Sequence, residues 1–248
     1  MRKVKYCPRL PIAVLPAASA ACVFSTTLGN PLGVSMPDHD RKRLLEVLQR
    51  HGVVLIEDDV YGDLRYDGTR PTPAQFAGGA ASVLTCGSFS KTVAPGYRIG
   101  WVVAGPFMDR IARLKLAFSC SSGLLQQLTL VEFMATGDYA RHLKALRPVL
   151  QCNAERMGAL VAEHFPAATR TSKPMGGSIL WIEMPETVDA VKLFDDAIAA
   201  GISIAPGRIF SACNRYGNFL RLSNGHPWNA QIEDAIRWLG REATDRAR

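Results

Sequence analysis

Val53-Val54-Leu55-Ile56-Glu57-Asp58-Asp59-Val60-Tyr61-Gly62 is the stretch on which the fold turns. Its first four residues form an unbroken apolar run, the pattern of a strand covered by helices on both faces and therefore of a parallel sheet. The run then stops in three consecutive carboxylates. Upstream, Pro37-Asp38 opens a helix that places Leu44, Leu45 and Leu48 on one face and ends at His51-Gly52. Earlier still, residues 21–27 read as a buried strand followed by the turn Gly29-Asn30-Pro31-Leu32-Gly33. Downstream, a loop rich in Pro and Gly (67–79) leads to a strand over 82–86, and residues 98–104 read as another. Such alternation of strand and helix predicts an α/β architecture built on a parallel sheet.

From Pro106 the pattern changes to helices over 106–118, 121–136 and 138–164. The remainder mixes short strands (179–183, 202–205, 219–222) with helices near 188–200 and 228–244, as a smaller α+β domain would. The chain therefore divides into an atypical segment 1–20, a large α/β part over 21–140 and a small α+β part over 141–248.

Bulk properties exclude several function classes. Of 248 residues, 48% are hydrophobic and 21% charged, which places the chain among folded globular proteins and outside the disordered class. The net charge of +7 is dispersed, with Arg41, Lys42, Arg43 and Arg50 along one helix. This reads as a solvated basic face, and no direct nucleic-acid binding by this chain is expected. Cys7, Cys22, Cys86, Cys120, Cys152 and Cys213 are widely spaced without a C-x-x-C pair, and His39, His51, His142, His164 and His226 show no ligand spacing. Neither a disulfide scaffold nor a metal site is expected, and none of the histidines is given a catalytic role. No run approaches the ~20 apolar residues of a membrane span. Arg2, Lys3 and Lys5 ahead of residues 10–18, with Ala18-Ser19-Ala20 behind, outline a signal peptide. Pro11 and Pro16 interrupt that outline, so a cytoplasmic protein is expected.

Three successive strands end in chemically loaded turns: Asn30, then Asp58 with Tyr61, then Ser88, Ser90 and Lys91. Open α/β sheets bind ligands at the carboxyl ends of their strands. Taken singly, Asn30 before Pro is an ordinary turn residue, Glu57-Asp58-Asp59 is a helix cap or an acidic metal cluster, and Lys91 is a surface lysine. Their common position at strand ends points to one site.

The motifs Asn30-Pro31-Leu32-Gly33, Glu57-Asp58-Asp59-Val60-Tyr61-Gly62, Ser88-Phe89-Ser90-Lys91 and Pro95-Gly96-Tyr97-Arg98-Ile99-Gly100-Trp101 follow in that order. Gly176-Gly177, Ala205-Pro206-Gly207-Arg208-Ile209-Phe210 and Arg221-Leu222-Ser223 come after them. Over about residues 21–241 the chain resembles fold-type I aminotransferases of class I/II that depend on pyridoxal 5′-phosphate (PLP). The resemblance is greatest to the aminotransferase-like domain of MocR/GntR-type transcriptional regulators, where Glu-Asp-Asp and Ser-Phe-Ser-Lys with Ala-Pro-Gly are typical. It implies a PLP-dependent transferase fold with an incomplete large domain and a C-terminal small domain. It also implies that Lys91 carries PLP as a Schiff base and moves the proton between Cα and C4′. Asp58 would pair with the pyridinium nitrogen, Asn30 and Tyr61 with the ring O3′, and Ser88, Ser90 and Arg98 with the phosphate, while Arg221 would clamp the substrate α-carboxylate. The implied activity is amino-group transfer between an L-amino acid and a 2-oxo acid. The alternatives are a PLP- and amino-acid-sensing regulator domain without its winged helix-turn-helix, and an inactive fragment.

Proteins of the resembled type have about 150 or more residues ahead of the strand at Ala21. Those residues carry a glycine-rich loop completing the phosphate cup and an aromatic residue stacking on the pyridine ring. Residues 1–20 match none of this, and a truncated or mis-started reading frame is expected. A homodimer is implied for the complete form.

Overall fold

The computed structural model describes residues 19–76 and 82–248. The signal-peptide outline, Cys7 and most of the atypical segment 1–20 lie outside them. By contacts the chain forms two compact units, one holding 19–29 with 35–147, the other holding 30–34 with 148–248.

The first unit is organised on β1 (Ala21–Phe24), helix α1 (Asp38–Arg50), β2 (Val54–Asp58), β3 (Val83–Ser88) and β4 (Gly100–Val103), with the strands in the order β1-β2-β3-β4. β1 and β3 both run parallel to β2, setting Val23 beside Ile56 and Ile56 beside Leu84. The sheet departs from the all-parallel expectation at its edge, because β4 is antiparallel to β3 with Ser88 opposite Gly100. Residues 89–99 turn straight back, and a parallel crossover needs a dozen residues or more. β4 also begins later than the sequence suggested, since Arg98 has φ 54°, a left-handed conformation that no strand continues through. β1 ends early for a different reason: the Thr26 carbonyl accepts the Met36 amide at 2.7 Å instead of a strand neighbour.

Leu44, Leu45 and Leu48 of α1 are buried, as their spacing predicted, and Asp38 and Asp40 at the first turn with Arg50 at the last suit the helix dipole. Helices α2 (Met108–Ser119), α3 (Leu124–Ala135) and α4 (Asp138–His164) follow, with Pro148 inside α4.

The second unit contains β5 (Arg170–Thr171), β6 (Ile179–Glu183), helix α5 (Ala190–Ala199), β7 (Ala205–Pro206), β8 (Phe219–Ser223) and helix α6 (Ala230–Ala247). Its sheet has the order β5-β6-β8-β7, antiparallel throughout. Ile182, Leu193, Leu220 and Leu239 are completely or almost completely withdrawn from solvent and join β6, β8, α5 and α6 in one core. Asp189 and Asn229 cap α5 and α6 by accepting the amides of Val191 and Ile232 at 2.8 and 3.0 Å. Trp181 is a core residue, stacked on Phe219 and edge-on to Phe210. Of the strand expected over 202–205, only Ala205 pairs, because the Ile202 amide closes the end of α5 on the Ala197 carbonyl at 2.7 Å. Among the described residues no helix is long and apolar enough to cross a membrane.

Candidate active site

β2 and β3, being parallel, bring their carboxyl ends to one edge of the sheet. Asp58, the last residue of β2, stands opposite Cys86, and Ser88 ends β3 two residues later. The three carboxylates that end β2 diverge. Glu57 turns into the interior, 1% exposed, where it accepts hydrogen bonds from the hydroxyl of Thr26, the amide of Ala74 (2.8 Å) and the hydroxyl of Thr85 (3.0 Å). A buried carboxylate with three donors holds structure together. Asp59 is also buried and pairs with Arg70, which in turn pairs with Asp63. Burial pushes the Asp59 carboxyl up to about 6, outweighing the lowering effect of Arg70. Asp58 alone is left at the open strand end, where its Oδ1 accepts the Val60 amide at 3.3 Å.

The backbone after Asp58 is fixed tightly. The Asp59 amide extends the ladder by bonding the Cys86 carbonyl at 2.8 Å, and the Gly62 amide returns to the Asp59 carbonyl at 3.3 Å. A Cβ on Gly62 would run into the Asp59 carboxylate, so any side chain there would push that carboxylate aside. Tyr61 in this turn is buried.

After Ser88 the chain makes an equally tight loop. Ser88 Oγ accepts the Ser90 amide at 2.9 Å, and the amides of Val93 and Ala94 both bond the Phe89 carbonyl, at 2.8 and 3.2 Å. Lys91 is carried on the outside of this loop, exposed, with its Nζ 6.0 Å from the centre of the Tyr61 ring. Thr92 beside it is buried. Arg98 closes the loop, exposed, and its guanidinium makes a long 3.5 Å contact to the Pro95 carbonyl. Gly100, two residues on, pairs with Ser88, which returns the chain to the same strand end.

Six predicted residues, namely Asp58, Tyr61, Ser88, Ser90, Lys91 and Arg98, thus lie in one unit on two adjacent strand ends and their turns. The other two, Asn30 and Arg221, belong to the second unit and are bonded to each other, Arg221 Nη1 donating to Asn30 Oδ1 at 2.9 Å. The Arg221 guanidinium lies 5.1 Å from the centre of the Phe210 ring, and its Nε is buried without a hydrogen-bond partner among the described residues. A cationic fork with an unused N–H suits a carboxylate.

Sequence reading missed a cavity of about 190 Å³ beside this strand end, lined among others by Asp59, Asp63, Arg70, Ser88, Trp101 and Tyr139. Tyr139 donates to Asp63 at 2.9 Å, and burial pushes its phenol up to about 12. The pairing spans 76 positions and leaves no local signal. Trp101 lies so close over Gly87 that a Cβ there would sit 2.1 Å from the indole ring. The Cys86 thiol is pushed up by burial first and by the Asp58 carboxylate second, which keeps it a neutral thiol beside the site.

The donor set fits pyridoxal phosphate group by group. Ser88, Ser90 and Arg98 offer hydroxyls, amides and a cation to a phosphate, Asp58 an anion to a protonated pyridine nitrogen, Tyr61 a phenol to a phenolic oxygen, and Lys91 an exposed amine to an aldehyde.

Comparison with known proteins gives the same direction. The family profile Aminotransferase class I and II matches residues 12–239. An uncharacterized HTH-type transcriptional regulator of Escherichia coli, YjiR, is 38% identical over 218 residues, covering 88% of this chain and 46% of that protein. Aromatic-amino-acid aminotransferase 1 of Thermococcus litoralis is 30% identical over 214 residues, covering 86% of this chain and 51% of the relative. The crystal structure of kynurenine aminotransferase from Pyrococcus horikoshii, in complex with PMP, superposes with a TM-score of 0.84 at 28% identity, over 92% of this chain and 57% of that one. The chain thus spans about half the length of the relatives it matches.

Proposed function

We propose, from the premise that this chain belongs to the class I and II aminotransferase family, that it binds PLP through Lys91 and moves amino groups between L-amino acids and 2-oxo acids. The observation that carries the reading is the convergence of Lys91, Tyr61 and Asp58 on two adjacent strand ends, with Lys91 Nζ 6.0 Å from the Tyr61 ring. When bound, PLP supplies an aldehyde that condenses with amines and a pyridine ring that draws electrons away from the substrate Cα.

The side chains divide the remaining work. Lys91 holds the cofactor through its amine and, once released, carries a proton at Cα. Asp58 keeps a proton on the pyridine nitrogen by opposing it with a negative charge. Tyr61 orients the ring through its phenol. Ser88, Ser90 and Arg98 bind the phosphate, where a guanidinium fork contributes both charge and direction. Arg221, held by its bond to Asn30, takes the α-carboxylate, for which its buried N–H is a ready donor. In this reading the protein works in the cytoplasm as a homodimer.

The 38% identity to an HTH-type regulator supports a second reading, in which the same residues bind PLP and report an amino acid without turnover. One experiment covers both. PLP added to the chain gives a visible absorbance that borohydride bleaches while fixing the pyridoxyl group on the Lys91 peptide, and Lys91→Ala abolishes both the absorbance and the label. Equal labelling of the variant refutes the assignment. Loss of the absorbance on adding an amino acid, and its return on adding a 2-oxo acid, marks transfer. A shift that persists with both present marks sensing.

A further inference from the structure

The first turns of α4 touch both halves of the PLP-binding strand end, through two side chains that the proposed chemistry does not use. Tyr139 donates its hydroxyl to Asp63 Oδ2 at 2.9 Å, five residues beyond Asp58. The same ring meets Phe89 edge-on, centroids 6.0 Å apart at 76°, within Ser88-Phe89-Ser90-Lys91. His142, one turn further along α4, lies with Nε2 2.8 Å from the carbonyl oxygen of Thr92, directly after Lys91. A carbonyl only accepts, so Nε2 carries the hydrogen and donates. Phe133 of α3 packs against both rings, 6.1 Å from Tyr139 and 6.0 Å from His142, and fixes the pair laterally. Arg147, on the same helix, donates to the Asp63 carbonyl at 2.9 Å.

We infer that Tyr139 and His142 are positioning residues that lock the Asp58–Asp63 turn and the Lys91 loop to one helix, so that the amine of Lys91 and the carboxylate of Asp58 keep a fixed register. This deepens the PLP reading and rests on it for its functional meaning. The physical case is that, beyond the Asp59–Cys86 and Phe89–Ile99 backbone bonds at their roots, neither turn has a ladder to hold it. The Lys91 loop closes on the Phe89 carbonyl and the Ser88 hydroxyl, and the Asp58 turn closes on the Asp59 and Tyr61 carbonyls. A short loop of that kind takes its orientation from what it is bonded to outside itself. Beside the Arg70 ion pairs to Asp59 and Asp63, both turns take a hydrogen bond from one stretch of rigid α-helix, which serves a site better than support from another loop would.

The test has an arm that needs no cofactor. Amide hydrogen exchange is compared in the full chain, in Tyr139→Phe, in His142→Ala and in His142→Gln. His142→Ala should speed exchange at Val93 and Ala94 by about threefold to tenfold, the range for losing one hydrogen bond. It should leave Gly62 and Leu64 unchanged. Tyr139→Phe keeps the ring against Phe89 but drops the bond to Asp63, so exchange at Gly62 and Leu64 should rise. His142→Gln, whose amide can still donate to the Thr92 carbonyl, should restore the Lys91 loop. The Trp181 amide in the other unit serves as the reference for global unfolding. In the PLP-loaded protein, both Tyr139→Phe and His142→Ala should still label at Lys91, with the pH midpoint of the visible absorbance displaced from that of the parent. Unaltered exchange at Val93, Ala94, Gly62 and Leu64 in these two variants overturns the inference. Absence of Lys91 labelling in the parent overturns the PLP reading instead, and the exchange arm still decides whether the helix holds the two turns.

Discussion

Arg221 and Asn30, 191 positions apart in the chain, are joined by a hydrogen bond of 2.9 Å from guanidinium to side-chain amide oxygen. The bond fixes one edge of the guanidinium while Phe210 supports its face at 5.1 Å. What is left free is the buried Nε–H edge. Arg221→Lys retains the charge but not the fork. We expect the amino-acid concentration needed for half of the spectral response to rise about tenfold or more, the value of one charge-assisted hydrogen bond, with labelling of Lys91 by PLP unchanged. A titration of PLP-loaded protein with amino acids measures both quantities.

Gly87 and Trp101 are paired across β3 and β4 at a distance that leaves no room for a methyl group. Gly87→Ala should lower stability by about 1–3 kcal/mol, the usual cost of overpacking. Thermal or urea unfolding of the single variant and of Gly87→Ala with Trp101→Ala tests the cause, since the double variant should regain part of the loss if the indole is the obstacle.

Much of this site was legible from the chain alone, and the reason is geometric. A parallel strand end is marked locally, by an apolar run that stops in polar residues, so Asp58, Tyr61, Ser88 and Lys91 could be found from their own neighbourhoods. The reversal of β4 was less visible, because an edge strand of either direction shows the same short apolar pattern; only the length of the 89–99 connection distinguishes them. The links from Asp63 to Tyr139 and from Thr92 to His142 left no trace, being made by residues 76 and 50 positions apart whose types are common on any polar helix face.

Asp59 gives a pH prediction with a definite sign. Its carboxyl is raised from 3.8 to about 6 in the folded chain, so the folded state holds the proton more firmly than the unfolded one. Its contribution to stability is therefore most favourable below pH ~4, declines as the pH rises from ~4 to ~6, and is constant above. Asp59→Asn should remove this slope from a series of urea midpoints taken between pH 4 and 7, while the slope below pH 4 persists.

Glu57 is expected to behave quite differently despite being its sequence neighbour but one. Replacing it with Gln puts a donor where one carboxylate oxygen now accepts, against the amide of Ala74 and the hydroxyls of Thr26 and Thr85. At least one buried donor is then unpaired, and urea unfolding should show a loss of roughly 1–3 kcal/mol. Because this network lies under the strand end, PLP labelling at Lys91 should survive at temperatures where the variant remains folded.

Pro148 gives α4 a property that its unbroken outline hides. Proline has no amide hydrogen, so the carbonyl of Lys144, one turn back, is without its helical partner in the middle of the longest helix among the described residues. The same residue opens the second compact unit, and Arg147 closes the first. A helix normally transmits unfolding along its hydrogen-bond ladder from one turn to the next. Here the ladder is cut where the chain passes from one unit to the other. The Tyr139–Arg147 turns belong to the unit that carries Lys91 and the Asn153–His164 turns to the unit that carries Arg221, so the two stretches are expected to melt separately, each with its own unit.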